Sequence, residues 1–177
     1  MSQHKEIPYK TAWAVAKKIV QELSPACERV EIAGSLRRGK PAVHDIDIIL
    51  LPRSPSSVGL QSSVSSLDEV ISALINRGSL IVVREGDKIR SFIAAKTGIP
   101  VDVYVATHDT WATLLLIRTG SKEHNIQLAQ RARQLGMKLR ASGDGIENQG
   151  GELIKIQSED EIFSLLKVPY LPPEKRG

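Results

Sequence analysis

The sequence predicts an α+β fold in which a mixed β-sheet with flanking helices is followed by a smaller α+β part. Apolar runs typical of buried strands occur at 45–51 and 101–105, whereas apolar residues at three-to-four spacing indicate a helix over 67–76. The composition changes near His108. Of the 177 residues, 41% are hydrophobic and 25% are charged, as is usual for a soluble globular protein.

The first part alternates helices with strands. A helix begins after Pro8 and is ended by Pro25, because proline cannot continue a helix. The next predicted elements are strands Arg29–Ala33 and Asp45–Leu51, a surface loop Arg53–Ser66, a helix Leu67–Asn76, and strands Leu80–Arg84, Ile89–Ala95 and Val101–Val105. The strand from Asp45 is apolar at most positions, so we expect it inside the sheet.

The second part is expected to be mostly helical. Its predicted elements are a helix Thr110–Arg118, a helix Lys122–Leu135, a hairpin of Met137–Arg140 with Leu153–Ile156, and a helix Glu159–Lys167. Ser158 and Glu161 form a capping-box pattern at the start of the last helix, and the tail after it is expected to be extended. We therefore divide the chain into 1–108 and 109–177.

Charge and cysteine content limit the classes of protein. The formal net charge of +4 permits a polyanionic partner without requiring one. Cys27 is the only cysteine, which excludes an intrachain disulfide and a thiolate metal cluster. We find neither a secretory leader nor an apolar run of about 18 residues. The sequence therefore predicts a cytoplasmic protein without membrane contact.

Two aspartates open a predicted buried strand. Asp45 and Asp47 are two residues apart, so on a strand both carboxylates project to the same side. Asp102 lies within another apolar strand, and a lone acid there needs a partner or a solvent-facing position. If the two strands are neighbours, three carboxylates converge and can hold two Mg²⁺ or Mn²⁺ ions for phosphoryl transfer. The alternative for the pair is a solvated strand edge.

The preceding turn has the chemistry of a phosphate site. Gly34 and Ser35 follow a predicted strand, and backbone N–H groups with a serine hydroxyl can surround a phosphate there. Arg37 and Arg38 add guanidinium groups that match phosphate oxygens. Alternatively, these arginines could simply be solvated on the surface. We expect that of one of them more than of both together.

The spacing of these residues resembles the palm of family X DNA polymerases, the DNA polymerase beta group of the nucleotidyltransferase superfamily. The resemblance rests on Gly-Ser-x-Arg-Arg-Gly, five residues and Asp-x-Asp, and continues through "PVDVYV", "RTGSKEHN", "LGMKLRASG" and "VPYLPPEKR". It extends from about Ile7 to the end of the chain. It implies a minimal form with only a nucleotidyltransferase palm (1–108) and a C-terminal nucleotide- and DNA-binding subdomain (109–177), and hence no lyase activity.

The resemblance also implies an activity. The enzyme would be a metal-dependent DNA polymerase that adds dNTPs to a primer 3′-hydroxyl and releases pyrophosphate, in gap filling or DNA repair. Its cofactor would be two Mg²⁺ ions, with Mn²⁺ as a substitute. Its partners would be dNTP and a primer/template or gapped DNA duplex, and we expect a monomer. The alternative is a template-independent or other nucleotidyltransferase with the same three aspartates.

Residue roles follow from the same resemblance. Asp45 and Asp47 would bind both metals, and Asp102 would bind the catalytic metal and help to activate the primer hydroxyl. The residues implied in nucleotide binding are Gly34, Ser35 and Arg38 at the phosphates, Thr119, Gly120 and Ser121 along the sugar and base, and Asn125 at the minor-groove edge. DNA-binding candidates in the C-terminal part are Lys122, Arg131, Arg133, Lys138 and Arg140, whose alternative is a solvated helix face.

Several positions depart from the family pattern. His44 replaces a common glycine before the aspartates, where it could bind phosphate when protonated or pack the turn. Ile117 and Arg118 stand where the family usually has a tyrosine and an aromatic residue, which puts sugar discrimination in doubt. Ala129 stands where some members place an arginine against the template strand.

Overall fold

A five-stranded mixed sheet forms the centre of the N-terminal part. The computed structural model describes residues 6–54 and 66–177. The helices in these ranges are α1 Tyr9–Leu23, α2 Gly34–Arg37, α3 Leu67–Asn76, α4 Trp111–Thr119, α5 Lys122–Gln134 and α6 Glu159–Leu165. The strands are β1 Ile7–Pro8, β2 Cys27–Ile32, β3 Ala42–Val43, β4 Ile46–Pro52, β5 Leu80–Arg84, β6 Ile89–Ala94, β7 Ile99–Val105, β8 Lys138–Leu139, β9 Ile146–Glu147 and β10 Leu153–Ile154. The predicted loop Arg53–Ser66 falls largely on 55–65, outside the described residues.

The register of the large sheet brings two acidic residues side by side. The strand order is β2-β4-β7-β6-β5, and β4 and β7 are parallel neighbours whereas the other pairs are antiparallel. Asp47 on β4 lies opposite Asp102 on β7. The expected adjacency of the two strands is therefore confirmed. β4 begins at Ile46, so Asp45 precedes the strand instead of opening it.

Both faces of β4 are buried, which explains its long apolar run. Ile46, Ile48 and Leu50 pack in a core cluster with residues of α1 and α3, whereas Ile49 and Leu51 pack on the opposite face. All five are at most 3% exposed. An interior strand covered on both sides is expected to be apolar without alternation, as the sequence predicts for this segment.

Helices α1 and α3 cover one face of the sheet. The buried side chains of α1 recur at three-to-four spacing and are Ala12, Ala16, Ile19 and Leu23. Helix α3 begins with a capping box: Ser66 Oγ accepts from the Glu69 N–H, and the Glu69 carboxylate accepts from the Ser66 N–H at 2.7 Å. The observed bounds of α3 are those predicted.

A second, three-stranded sheet lies in the C-terminal part, in the order β10-β9-β8. The predicted hairpin of Met137–Arg140 with Leu153–Ile156 is wrong, because β9 lies between these segments and pairs with both. Ile146 on β9 is fully buried, and the Glu147 carboxylate accepts a hydrogen bond from Arg140 Nε at 2.8 Å. The pairing of β9 with both β8 and β10 therefore places a third strand between the two segments of the predicted hairpin.

Ser158 caps the last helix as predicted, but Glu161 does not return a hydrogen bond to the Ser158 N–H, so the capping box is incomplete. Ser158 Oγ accepts from the Glu161 N–H at 3.3 Å, whereas the Glu161 carboxylate accepts from the Gln157 N–H at 2.7 Å. Helix α6 ends at Leu165, before the predicted end at Lys167. The tail contains one short 3₁₀ turn at Pro173–Lys175.

One core cluster contains residues from both sides of the predicted boundary at residue 108. This bridging cluster comprises Ala33, Ile49, Leu51, Tyr104, Ala106, Trp111, Leu114 and Leu115. The division of the chain into 1–108 and 109–177 stays a prediction. Among the helices that the structure describes, none has the length and apolar character needed to cross a membrane.

Candidate active site

Three aspartates lie around the adjacent strands β4 and β7. Asp47 faces Asp102 across the parallel ladder, and Asp45 precedes β4 by one residue. Burial, together with the nearby charges of Asp45 and Asp102, raises the pKa of Asp47 to about 7, against the opposing effects of the Tyr104 hydroxyl and the charge of Arg118. Asp45 and Asp102 are therefore both close enough to Asp47 to repel its carboxylate.

The side chains at this site have the right chemistry for a divalent cation, but those that the structure describes are not arranged around a metal position. Hard carboxylate oxygens are the ligands that Mg²⁺ prefers, and a cation would relieve the repulsion at Asp47. Over residues 6–54 and 66–177, however, no three His, Cys, Asp or Glu side chains are grouped so that they could hold a metal ion. The Tyr104 hydroxyl lies close enough to the Asp47 carboxyl to hold down its pKa.

The turn after β2 is built around Gly34. This residue opens the short helix α2 with φ of +62°, a backbone conformation that favours glycine. A Cβ at this position would lie 2.9 Å from Asp47 Cγ and would overlap its carboxylate. The Ala33 N–H also donates to the Asp47 carbonyl oxygen at 2.8 Å, which ties the turn to β4. The absence of a side chain at Gly34 thus lets this turn, which the sequence predicts to bind phosphate, lie close to Asp47.

We expect Gly34→Ala to displace Asp47 and to destabilise the fold. The added methyl group requires both a strained backbone and movement of a largely buried carboxylate, which together cost about 2–4 kcal/mol. The matched control is Gly39→Ala, since Gly39 also has a positive φ, +70°, but open space around its Cβ. Urea unfolding measures both variants, and equal losses of stability would show that the approach to Asp47 is not tight.

A cleft of about 650 Å³ lies next to the aspartates. Ten of the residues predicted for the site or for DNA binding line it: Gly34, Ser35, Arg38, His44, Asp45, Asp47, Gly120, Ser121, Lys122 and Asn125. Side chains that were not predicted as ligands complete the wall: Ile117, Arg118, Ile126, Ala129, Leu139 and Ala141. Asp102 and Thr119 do not line the cleft, although Asp102 lies beside Asp47.

The structure separates the two neighbouring arginines. Arg38 lines the cleft, where its Nη1 donates to the Thr119 carbonyl oxygen and its buried Nε has no hydrogen-bond partner among the described residues. Burial lowers the pKa of Arg38, although the charges of Asp47 and Glu123 oppose this. Arg37 instead donates to Thr119 Oγ1 at 2.8 Å and to the Glu159 carboxylate. Of these two neighbouring arginines, Arg38 alone is therefore placed to contact a ligand in the cleft.

The start of α5 forms the opposite wall. Ser121 caps the helix by accepting from the His124 N–H at 3.3 Å. Asn125 lies in the first turn, and its Nδ2 donates to the Ile117 carbonyl oxygen at 2.8 Å. Its Oδ1 is buried without a hydrogen-bond partner among the described residues. An unpaired buried acceptor is costly, so a ligand that donates a hydrogen bond here would be stabilised.

Buried charges connect α2 to the C-terminal part. The Glu159 carboxylate accepts from Arg37 at 2.8 and 3.0 Å and from Arg176 Nη1 at 2.6 Å. Burial raises the pKa of Glu159, but hydrogen bonds from both arginines outweigh it and leave the pKa lowered. The Arg176 carbonyl oxygen accepts from the Ser121 N–H at 2.9 Å, which links these charges to the cleft wall.

The five predicted DNA-binding cations have different surroundings. Lys122 lines the cleft, and Arg133 is exposed. Arg131 donates to the Leu166 carbonyl oxygen at 2.9 Å. Arg140 and Lys138 both form ion pairs with Glu147. Protein contacts therefore already engage three of the five.

Sequence reasoning missed Tyr104. Its hydroxyl is close enough to Asp47 to hold down the pKa of that carboxyl, and Arg118 Cζ lies 4.4 Å from its ring centroid. A signal was available, because alternation along β7 places Tyr104 on the same side as Asp102.

Comparisons with known proteins agree with this architecture. Residues 114–177 match the family described as DNA polymerase beta thumb. DNA polymerase/3′-5′ exonuclease PolX of Bacillus subtilis (strain 168) is 30% identical over 178 residues, covering 98% of this chain and 29% of that protein. DNA polymerase lambda of Rattus norvegicus is 25% identical over 160 residues, covering 81% of this chain and 28% of that protein. The chain thus spans about three tenths of the length of these curated relatives.

The mixed sheet and the flanking helices are consistent with a polymerase beta-like fold, and the thumb match covers residues 114–177. More particularly, the chain is related to the family X DNA polymerases and corresponds to a part of them. These matches support the family predicted from the sequence, and the predicted α+β fold class is confirmed.

Proposed function

We propose that the chain is a DNA polymerase unit of the family X type, which joins a dNTP to the 3′-hydroxyl of a DNA primer. The observation that carries the proposal is the register that places Asp102 directly opposite Asp47 beside the cleft. Both relatives are named as DNA polymerases, which supports the same activity here.

In the proposed reaction the primer O3′ forms a bond to the α-phosphorus, and the bond from that phosphorus to the bridging oxygen breaks. Pyrophosphate leaves, and the hydroxyl proton passes toward the Asp102 carboxylate. Divalent ions, when bound, would supply charge neutralisation at the attacking and leaving oxygens. Asp45, Asp47 and Asp102 would hold them, as Mg²⁺ or Mn²⁺.

Other side chains would bind the nucleotide. Ser35 on α2 and Arg38 directly after it line the cleft and would hold the β- and γ-phosphates, where the unpaired Nε of Arg38 offers a donor. Gly120 and Ser121 would lie along the sugar, and Asn125 Oδ1 would accept from the base. His44 also lines the cleft and would contact the phosphates. Thr119 would act through its bonds to Arg37 and Arg38.

We propose gap filling or DNA repair as the context, a monomer as the working form and the cytoplasm as the location. Lys122 and Arg133 would contact DNA phosphates directly, with Arg131, Lys138 and Arg140 as weaker contributors because protein groups engage them.

The second candidate is a nucleotidyltransferase that needs no template. It is favoured by the small Ala129 in the cleft wall, at the position where some family members have a template-contacting arginine. It uses the same three aspartates and the same phosphate contacts, so only its DNA requirement differs.

Primer extension tests both candidates. We expect Mg²⁺-dependent incorporation of the templated dNTP on gapped DNA, with weaker incorporation at higher salt because phosphate contacts release counterions. Parallel reactions should contain single-stranded primer and should compare each dNTP with its rNTP. Extension of the single strand alone would favour the second candidate, and no extension of either DNA would contradict the polymerase proposal.

A further inference from the structure

The Asp47 carboxylate has a tyrosine hydroxyl close to it on the neighbouring strand. Tyr104 lies two residues after Asp102 on β7, on the side of the sheet that carries Asp47, and its hydroxyl is close enough to the Asp47 carboxyl to hold down the pKa of that group. Tyr104 is only 8% exposed and belongs to the bridging cluster. The ring is therefore packed in place, and its hydroxyl is presented to a largely buried carboxylate.

Arg118 covers the face of that ring. Its Cζ lies 4.4 Å from the Tyr104 ring centroid, within the range of a favourable cation–π contact. Its Nη2 makes only a long contact of 3.5 Å with the Ser142 carbonyl oxygen, and its buried Nε has no hydrogen-bond partner among the described residues. The ring of Tyr104 is thus the main contact that fixes this guanidinium at the cleft wall.

We propose that Tyr104 and Arg118 are a pair of positioning residues for Asp47, in which Tyr104 orients the carboxylate and Arg118 fixes the Tyr104 ring. The inference rests on the proposed function, since it concerns the aspartate that would hold the divalent ion. The order of contacts runs from α4 through β7 to β4, so Arg118 acts on Asp47 through Tyr104 as well as through its own charge.

The first test is Tyr104→Phe, which removes one hydroxyl and keeps the ring that packs against Arg118. We expect this variant to bind Mn²⁺ about tenfold more weakly than the parent, because loss of a group that orients a ligand typically weakens metal binding by about 10–100-fold. Electron paramagnetic resonance of free Mn²⁺ measures this without any enzymatic reaction. Mn²⁺ binding within twofold of the parent would overturn the proposal.

Arg118→Met separates positioning from charge. Removing a cation near three carboxylates would by charge alone strengthen Mn²⁺ binding. If Arg118 fixes the Tyr104 ring, Mn²⁺ binding should instead weaken several-fold in this variant. In a Tyr104→Phe background the same substitution should weaken it no further. Tighter binding by Arg118→Met in the parent background would overturn the role of Arg118.

Matched controls are Tyr170→Phe and Arg84→Met, since both residues are exposed and lie outside the cleft lining. Both controls should bind Mn²⁺ like the parent, and thermal unfolding should show that every variant remains folded. A parent chain that binds Mn²⁺ but extends no DNA would contradict the proposed function alone. A parent chain that does not bind Mn²⁺ would contradict both proposals.

Discussion

Asp102→Asn is expected to reduce nucleotide incorporation by about 1,000-fold or more, which corresponds to about 4 kcal/mol of transition-state stabilisation. The substitution keeps the size of the side chain but removes a charge directly opposite Asp47. The active site would lose a ligand for divalent ions and a group that can receive the primer hydroxyl proton. Single-turnover extension of a gapped DNA gives the rate.

The stability of the same variant distinguishes a functional role from a structural one. The charge of Asp102 raises the pKa of Asp47, so the two carboxylates repel each other in the folded protein. Asp102→Asn should therefore leave the unfolding temperature unchanged or raise it while activity is lost. Asp109→Asn is the matched control, because Asp109 is exposed seven residues later. Activity of Asp102→Asn within tenfold of the parent would remove Asp102 from the site.

Glu159→Gln is expected to lower the free energy of unfolding by about 3–5 kcal/mol, because it leaves one fully buried and one partly buried arginine without their counter-charge. The Arg176 side chain is fully buried, and the side chains of Arg37 and Glu159 are 21% and 7% exposed. Urea unfolding near neutral pH measures the loss. Asp160→Asn on the same helix is the control, since Asp160 is exposed.

The effect of Glu159→Gln should depend on pH. The pKa of Glu159 lies below its ordinary value of 4.5 in the folded protein, because the bonds from Arg37 and Arg176 outweigh burial. Its stabilisation is therefore complete above that value and is lost as the pH falls through the folded pKa. The difference in stability between parent and variant should shrink as the solution is acidified. A difference that does not change with pH would show that the carboxylate charge is not the source of the stabilisation.

The local spacing of apolar residues predicted most helices and strands, because it reflects which side chains are buried. Helix α3 and strand β5 have the predicted bounds, and β4 differs by one residue, since apolar spacing and a glycine at residue 78 define these segments locally. The hairpin failed because β9 has only two residues within a glycine-rich segment. A strand that short has no period to detect.

The candidate site was predictable in composition but not in arrangement. The spacing of Asp45 and Asp47 favours shared chemistry, yet the partner of Asp47 depends on strand order, which links residues 55 positions apart. Arg37 and Arg38 are adjacent in the sequence and have the same side chain. Tertiary contacts alone show that Arg37 binds Glu159 and that Arg38 lines the cleft. The pairing of Tyr104 with Arg118 depends on the packing of α4 against β7 in the same way.

The bridging cluster has a consequence for cooperativity. Ile49 and Leu51 from β4 share it with Trp111, Leu114 and Leu115 from α4, and each of these side chains is at most 7% exposed. A chain cut at residue 108 would leave both sets of apolar side chains open to water. The two halves should therefore unfold in one transition, and neither expressed alone should keep its native stability.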